Sequence, residues 1–243
     1  MKEEYRNRQA ILLAGIRVIM LTKYPEAAEC FKPYVVTPEG KETELYVSRE
    51  EWNYLGKKGI KPSGQNEASI LTSIASDWLL EHNRCIMHGV ALRYSNQAWI
   101  ITGDSGVGKT TQARILKELD PDSFDVICGD RPVLEMVNNE VIVHPSPWNG
   151  KENWKGAPAS PLSGIICLHR GENNIVRTMT KQEAVLPVFR AIIQTGCTEH
   201  CIQLAATFTG ILLERCYVWE QVSAIIPESG KMLYERVFQE VGK

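Results

Sequence analysis

The feature that most constrains this chain is a short glycine-rich segment that joins an apolar stretch to a helix-forming one. The apolar stretch is Trp99–Thr102, and residues 111–116 have the composition of an amphipathic helix. The segment between them matches the pattern G-x-x-x-x-G-K-[ST] at every required position. It consists of Gly103, Asp104, Ser105, Gly106, Val107, Gly108, Lys109 and Thr110. A strand, a tight glycine turn and a helix in this order predict an α/β domain with a phosphate-binding loop.

Each fixed position of the pattern has a physical role in holding phosphate. Gly103 and Gly108 let the backbone turn tightly, and Gly106 lets it come close to the phosphate oxygens. Lys109 is expected to bridge the β- and γ-phosphates as a compact cation, and the hydroxyl of Thr110 is expected to ligate Mg²⁺. We therefore predict that the eight loop residues bind ATP with Mg²⁺.

Phosphoryl transfer also needs a carboxylate near the phosphates, and Asp130 is the best candidate. It follows an apolar strand-like stretch at residues 124–128, so it lies where a strand's carboxyl end meets the phosphate-binding edge of a sheet. We predict that Asp130 holds the metal, accepts a proton, or does both. Arg131 is expected to pair with a phosphate oxygen or with Asp130. His88 precedes two strands that lead to Lys109, but on position alone it reads as a core or surface histidine.

Composition excludes several other classes of protein. The 243 residues are 44% hydrophobic and 23% charged, which is typical of a globular chain and not of a disordered one. Lys plus Arg number 27 against 29 Asp plus Glu, so there is no positive surplus for a nucleic acid. No apolar run reaches membrane-spanning length, and the seven cysteines are an odd, scattered set. We expect a cytoplasmic protein with buried thiols, no nucleic-acid partner and no membrane partner.

The pattern of apolar residues divides the chain near residue 65. Residues 9–21 and 41–48 predict a small β-rich N-terminal part over 1–65, and the Gly- and Pro-containing segment 56–64 predicts a loop that closes it. Residues 66–243 predict an α/β core with a mixed sheet. Its expected helices are 67–81, 110–119, 181–195 and 201–215, and its expected strands are 85–94, 98–102, 125–127, a hairpin around Asn138-Asn139, 163–168 and one near Tyr217.

Three blocks together resemble the catalytic domain of HPr kinase/phosphorylase, whose fold is shared with ATP-dependent phosphoenolpyruvate carboxykinase. They are Met87-His88-Gly89-Val90, the loop from Ile101 to Thr110, and Cys128-Gly129-Asp130-Arg131. The resemblance covers residues 85–170 well. It implies that 66–243 is an ATP-binding catalytic domain of this type, and that His88 hydrogen-bonds a catalytic aspartate that acts as general base on an acceptor serine.

Two departures from that family bear on the site. The family's paired aspartates appear here as Gly129-Asp130, so one carboxylate serves metal, base or both. The family's glutamate-Arg-Gly signature is absent, and residues 144–153 read His-Pro-Ser-Pro-Trp-Asn-Gly-Lys-Glu-Asn. This segment looks like the small carboxykinase-like branch, some members of which phosphorylate a serine in the precursor of a modified peptide. Trp148-Asn149-Gly150-Lys151 is either a clamp for acceptor or phosphate, or a surface loop with Trp148 packed inward.

The sequence thus predicts a kinase that transfers the γ-phosphoryl group of ATP to a hydroxyl, serine being the first expectation, on a protein or peptide. A small-molecule kinase and a non-catalytic nucleotide-binding regulator are the alternatives, and a true carboxykinase is disfavoured because the chain lacks room for a second lobe. A soft-metal site that begins with Cys197 and Cys201 is disfavoured too, since no second ligand pair lies nearby. A homo-oligomer is left open.

Overall fold

The computed structural model describes residues 5–152, 154, 156–195 and 198–239. Its strands are β1 (Asn7–Leu13), β2 (Ile16–Thr22), β3 (Glu44–Leu45), β4 (Arg84–Ile86), β5 (Gly89–Tyr94), β6 (Gln97–Thr102), β7 (Phe124–Cys128), β8 (Val133–Val137), β9 (Glu140–His144), β10 (Ser160–Arg170), β11 (Ile175–Thr178) and β12 (Tyr217–Ser223). Its α-helices are α1 (Pro25–Phe31), α2 (Arg49–Lys57), α3 (Gly64–Leu80), α4 (Lys109–Leu119), α5 (Lys181–Ala191), α6 (Glu199–Arg215) and α7 (Pro227–Leu233). A single turn of π-helix, Tyr234–Phe238, follows α7.

A large mixed sheet forms the centre of the α/β fold. Its strand order is β4-β8-β9-β10-β6-β5-β7, and β12 pairs with β10 and with β11. Strand β10 is long enough to change partners, because its first residues pair with β9 and its later residues pair with β12. Strands β6, β10 and β12 are parallel, whereas β5 is antiparallel to both β6 and β7.

This topology brings five chain segments to one edge of the sheet. The carboxyl ends of β6, β7, β10 and β12 lie at that edge, and so does the start of the antiparallel strand β5. The glycine-rich loop follows β6, Asp130 follows β7, and His88 immediately precedes β5. In α/β sheets, ligands bind at the carboxyl ends of the parallel strands. This edge of the sheet is therefore the candidate functional site.

Helices cover both faces of the sheet. On one face, α5 and α6 share a hydrophobic core with alternate residues of the strands, such as Ile100; on the other face, α4, α7 and the π-turn pack on the intervening residues, such as Ile101. Burial on both faces explains why β6 is a continuous apolar run and not an alternating one.

The N-terminal part is a three-stranded sheet, β1-β2-β3, with α1 and α2. Most of its large buried apolar residues share one cluster with α3, Ile86, Val133 and Trp148, whereas Ala10, Ile19 and Leu21 form a small separate cluster. Glu67 of α3 is fully buried, and its carboxylate accepts hydrogen bonds from Lys23 N at 2.9 Å and Tyr24 N at 3.1 Å, where α1 begins. The N-terminal part is thus tied to the main body by packing and by a buried carboxylate. The domain boundary near residue 65 stays a prediction.

Several sequence expectations are wrong at this level. The expected strand 85–94 is two strands in different places of the sheet, separated at Met87 and His88, and the expected strand 41–48 is only Glu44–Leu45. Helix α2 continues through Gly56 to Lys57, so the expected loop starts later. Helix α5 ends at Ala191, because Ile192 has extended backbone angles and Met87 bridges to it. The strand β11 and the helix α7 had no sequence expectation.

None of the helices in the described part of the chain combines the length and apolar character that a membrane crossing requires. The described cysteines are all free thiols; Cys85, Cys128 and Cys167 are buried, whereas Cys30 is exposed. Cys197, one half of the disfavoured metal pair, lies outside the described residues.

Candidate active site

The glycine-rich loop has the strand–turn–helix setting that its sequence predicts. β6 ends at Thr102 and α4 begins at Lys109, with Gly108 as its N-cap residue. Gly103 and Gly108 have φ angles of 143° and 111°, which side-chain-bearing residues rarely adopt. A Cβ at Gly103 would also lie 2.4 Å from the carbonyl oxygen of Leu168. These two positions require glycine.

Lys109 is held inside the curve of this loop. Its ammonium group donates hydrogen bonds to the carbonyl oxygens of Gly103 at 2.9 Å and Asp104 at 3.0 Å, and the residue is buried. Burial lowers the pKa of Lys109, and the carboxylates of Asp130 and Asp104 act in the opposite direction. An ammonium has three N–H donors, so one is left to meet an anion in the loop.

His88 lies in the break between β4 and β5, and its backbone is fixed on both sides. The His88 amide donates to the carbonyl oxygen of Ala191 at the end of α5 at 2.7 Å, and its carbonyl accepts from the Thr102 hydroxyl at 2.8 Å. Burial lowers the pKa of its imidazole, the nearby Lys109 lowers it further, and Asp130 opposes the shift. The lowered pKa favours the neutral imidazole, which can accept or donate a hydrogen bond.

The side chains of His88 and Asp130 meet at the sheet edge. Nε2 of His88 lies 3.6 Å from Oδ1 of Asp130, an ion-pair distance that is longer than a direct hydrogen bond. About a third of each side chain is exposed, 33% for His88 and 34% for Asp130. Asp130 is also close enough to Lys109 to influence its pKa. The structure thus brings together the three residues predicted to be catalytic.

Arg131 points away from the loop and towards α3. Its Nε lies 3.3 Å from Oδ2 of Asp130, and its terminal nitrogen donates to the hydroxyl of Thr72 at 2.7 Å. Of the two expectations for Arg131, the pairing with Asp130 is therefore the one that the structure contains. The guanidinium orients the second carboxylate oxygen, which leaves Oδ1 on the side of His88.

Gly129 leaves no room for a second aspartate in this turn. Its amide donates to Oδ1 of Asn149 at 2.5 Å. A Cβ there would lie 2.5 Å from the carbonyl oxygen of Asn149 and 2.7 Å from the ring of Trp154. No side chain fits at this position, so Asp130 is left as the single carboxylate of the turn.

Trp148 is packed inward, which decides between the two interpretations of its loop. The residue is 6% exposed, and its ring meets the ring of Phe31 edge-on at a centroid distance of 5.9 Å. Its Nε1 donates to the carbonyl oxygen of Ala68 at 3.0 Å. Trp148 therefore joins the N-terminal part to the main body and cannot offer an aromatic face to a ligand. The side chain of the following residue, Asn149, accepts the hydrogen bond from the Gly129 amide and so stabilises the turn that carries Asp130.

A cleft of about 320 Å³ opens beside the loop on the α5 face of the sheet. Its walls are Gly103, Asp104 and Ser105 of the loop, His88 and Thr102, Cys167 and His169 of β10, and Leu186, Pro187, Arg190 and Ala191 of α5. Arg190 is exposed and has no ion-pair partner among the described residues. The cleft connects solvent with the loop and His88.

The residues at the loop fit a magnesium ion. Among the described residues the Thr110 hydroxyl makes no hydrogen bond, and Asp130 supplies an accessible carboxylate. In the same residues no cluster of three or more His, Cys, Asp or Glu side chains could hold a metal by itself. Mg²⁺ commonly needs only one or two protein oxygens, because substrate phosphates and water complete its shell.

Sequence reasoning missed the contribution of α5 and of Asn149. Arg190 is remote in sequence from every motif, and only the hydrogen bond between Ala191 and His88 brings it to the site. Asn149 had a weak signal, since an Asn-Gly pair marks a turn. Nothing local indicates that its side chain caps Gly129.

Comparisons with known proteins add little to this geometry. No protein-family model matches the chain, and no curated protein matches it. Among solved structures, the Hpr(Ser) kinase/phosphatase from Coxiella burnetii is similar with 16% sequence identity and a TM-score of 0.39, over 65% of this chain and 99% of that chain. At this identity and TM-score, the assignment of the site rests on the geometry of this chain alone.

Proposed function

We propose that the chain is an ATP-dependent phosphotransferase that moves the γ-phosphoryl group to a hydroxyl of a protein or peptide. The observation that carries this proposal is the meeting of Lys109, His88 and Asp130 at one sheet edge, beside an open cleft. A phosphate loop alone supports nucleotide binding. A neutral histidine and a carboxylate at the same edge add what the transfer step requires.

In the proposed step, the acceptor oxygen attacks the γ-phosphorus while the bond from this phosphorus to the bridging β,γ-oxygen breaks. The acceptor proton passes to Oδ1 of Asp130, and ADP leaves with the bond electrons on its β-phosphate. Lys109 and the loop amides offset the negative charge on the phosphates. His88 and Arg131 each face one oxygen of Asp130 and keep its carboxylate in place.

Mg²⁺ would be held by the Thr110 hydroxyl and by Asp130, together with phosphate oxygens. When bound, it would neutralise charge on the β- and γ-phosphates. Asp130 then has two candidate tasks, to accept the acceptor proton and to ligate the metal.

The cleft supports an acceptor that enters from the α5 side. It is open to solvent and borders both His88 and the loop residue Ser105, and its outer wall carries the exposed side chains of Leu186 and Arg190. A flexible peptide or loop with a serine can reach the γ-phosphate through such an opening. A serine in a modified-peptide precursor is the acceptor we propose first.

The test is transfer of labelled phosphate from ATP to a panel of serine peptides, precursor-type peptides and small hydroxyl metabolites. Wild-type protein is expected to label a peptide, and Lys109→Ala is expected to bind Mg-ATP weakly and to label nothing. Lys57→Ala removes an exposed lysine of α2 instead, so it is the matched control and should behave as wild type. Labelling of metabolites alone would indicate a small-molecule kinase. Tight ATP binding with no transfer to any acceptor would indicate a nucleotide-binding regulator.

A further inference from the structure

The turn between β12 and α7 contains two adjacent residues, Ile225 and Ile226, whose types are unfavourable for the backbone positions that they occupy. Ile225 has a φ of 58°, in the left-handed region, where a β-branched residue is strained. Ile226 is the N-cap of α7, a position that favours Ser, Thr, Asn or Asp, and it caps no backbone group with its side chain. Such departures are retained where neighbouring structure enforces them, and they concentrate at functional sites.

Neighbouring residues hold this turn firmly in its strained form. The amide of Ile225 donates to the Ser223 hydroxyl at 2.8 Å, and the amide of Ala224 donates to Oδ1 of Asn174 at 3.2 Å. Behind the turn, a Cβ at Gly230 would lie 2.2 Å from Cγ2 of Ile115, so α7 and α4 are in close contact. The turn is thus fixed against the helix that starts at the phosphate loop.

The strain directs Ile225 onto the phosphate loop itself. A Cβ at Gly108 would lie 3.0 Å from Cδ1 and Cγ1 of Ile225, so the isoleucine side chain packs directly on the loop backbone where α4 begins. Ile226, next in the chain, is 41% exposed. An apolar surface therefore continues outward from the phosphate loop towards solvent.

The strand order sets this surface on the side of the loop away from His88 and Asp130. Across the sheet edge the order is β12, β10, β6, β5 and β7, so the β12 turn and the Asp130 turn flank the loop from opposite sides. In the proposed function, the γ-phosphate points to Asp130. The rest of the nucleotide must then extend the other way, over the start of α4 and towards Ile225 and Ile226.

We propose that Ile225 and Ile226 form the nucleoside subsite and contact the ribose and base of ATP through apolar surface. This inference rests on the proposed function, because it assumes a nucleotide in the phosphate loop. It predicts that a change at this subsite weakens the binding of ATP and not that of tripolyphosphate, since tripolyphosphate fills the loop but has no nucleoside.

The test compares the binding of Mg-ATP and Mg-tripolyphosphate by calorimetry. Ile226→Ser removes the apolar side chain and supplies a good N-cap, so the fold should gain stability while Mg-ATP binds about tenfold more weakly. Tripolyphosphate affinity should not change. Asparagine tolerates the left-handed conformation, and because Ile225 also packs on the loop backbone, Ile225→Asn should weaken Mg-ATP binding by a larger factor than tripolyphosphate binding. Met232→Ser removes another exposed apolar side chain from α7 and should change neither affinity.

The outcomes separate the subsite from the proposed function. If wild-type protein binds both ligands equally, or if Ile226→Ser changes both affinities or neither, the nucleoside subsite is wrong while the phosphate loop stands. If ATP is preferred and Ile226→Ser weakens only the binding of ATP but no acceptor is labelled, the subsite stands and the phosphotransferase proposal fails. If wild-type protein binds neither ligand, both fail.

Discussion

Replacing Asp130 by Asn tests the part of the site that goes beyond the phosphate loop. The substitution keeps the size of the side chain and removes its charge and its ability to accept a proton. It leaves the backbone of the turn intact, where the Asp130 carbonyl accepts from the amide of Gly89 at 2.8 Å. We expect the rate of phosphoryl transfer to fall by about two orders of magnitude or more, because a positioned general base contributes about 10²–10⁴-fold.

The expected effect on ATP binding is much smaller. The rate loss corresponds to about 2.7 kcal/mol or more of barrier. The contact between Asp130 and the neutral His88, 3.6 Å apart with a third of each side chain exposed, is not a charge pair and contributes about 1 kcal/mol or less. If Asp130 acts as the base, Mg-ATP affinity should therefore change by about fivefold at most.

The assay pairs single-turnover transfer with calorimetric binding of Mg-ATP, each repeated across a series of Mg²⁺ and Mn²⁺ concentrations. Asp125→Asn is the matched control, because it makes the same change on β7, the strand that leads to Asp130, at a side chain that is 58% exposed. A base role predicts a rate loss that no metal concentration restores. A purely metal-holding role predicts partial rescue by metal and an ATP affinity that falls together with the rate.

One result would refute the reasoning altogether. If Asp130→Asn transfers phosphate at a nearly normal rate, the proton goes elsewhere and the meeting of His88 with Asp130 is structural. Asp130 would then not be the general base, whatever the role of the cleft.

Four further predictions concern single positions. His88→Ala should reduce transfer less than Asp130→Asn and leave Mg-ATP binding nearly intact, since His88 orients the carboxylate; a loss of ATP binding equal to the loss of rate would contradict this role. Thr110→Ala should mainly raise the Mg²⁺ concentration needed for half-maximal transfer, and wild-type metal dependence would exclude the hydroxyl as a ligand. Trp148→Phe should lower the free energy of unfolding by about 1–3 kcal/mol, because the smaller ring packs less fully against Phe31 and the hydrogen bond from Nε1 to the Ala68 carbonyl is lost, with little change in Mg-ATP affinity. Burial raises the pKa of Glu67, so the folded state binds the Glu67 proton more tightly than the unfolded chain does. The free energy of unfolding of the wild-type protein should therefore fall as pH rises just above the ordinary carboxyl range. Denaturant titrations of Glu67→Gln should show no such dependence.

The phosphate loop and its setting could be predicted from the sequence because the constraint is local. Gly103 and Gly108 need φ angles that other residues rarely adopt, and the apolar run before them suits a strand buried on both faces. The hairpin at Asn138-Asn139 is local in the same way, since both residues adopt positive φ and the flanking strands β8 and β9 pair around them. In each case neighbours in the chain supply the physical requirement.

The position of His88 depends on contacts that no local pattern carries. The apolar run 85–94 reads as one strand, but β4 pairs with β8 and β5 pairs with β6 and β7, so the chain must break between them. The break is stabilised by α5, which is about a hundred residues away in sequence and offers the Ala191 carbonyl to the His88 amide. Only the folded sheet order brings His88 to the edge with Asp130.

Side-chain direction was also decided by tertiary structure. The sequence allowed two orientations for Trp148. The space between Phe31 of the N-terminal part and Ala68 of α3 selects the inward one. Gly129 is glycine because Asn149 and Trp154 fill the volume of a side chain. The sequence by itself determined that a phosphate loop exists, because that loop is made by consecutive residues. What surrounds the loop is made by residues far apart in the chain, and their meeting depends on the pairing of strands and on the packing of helices across both faces of the sheet.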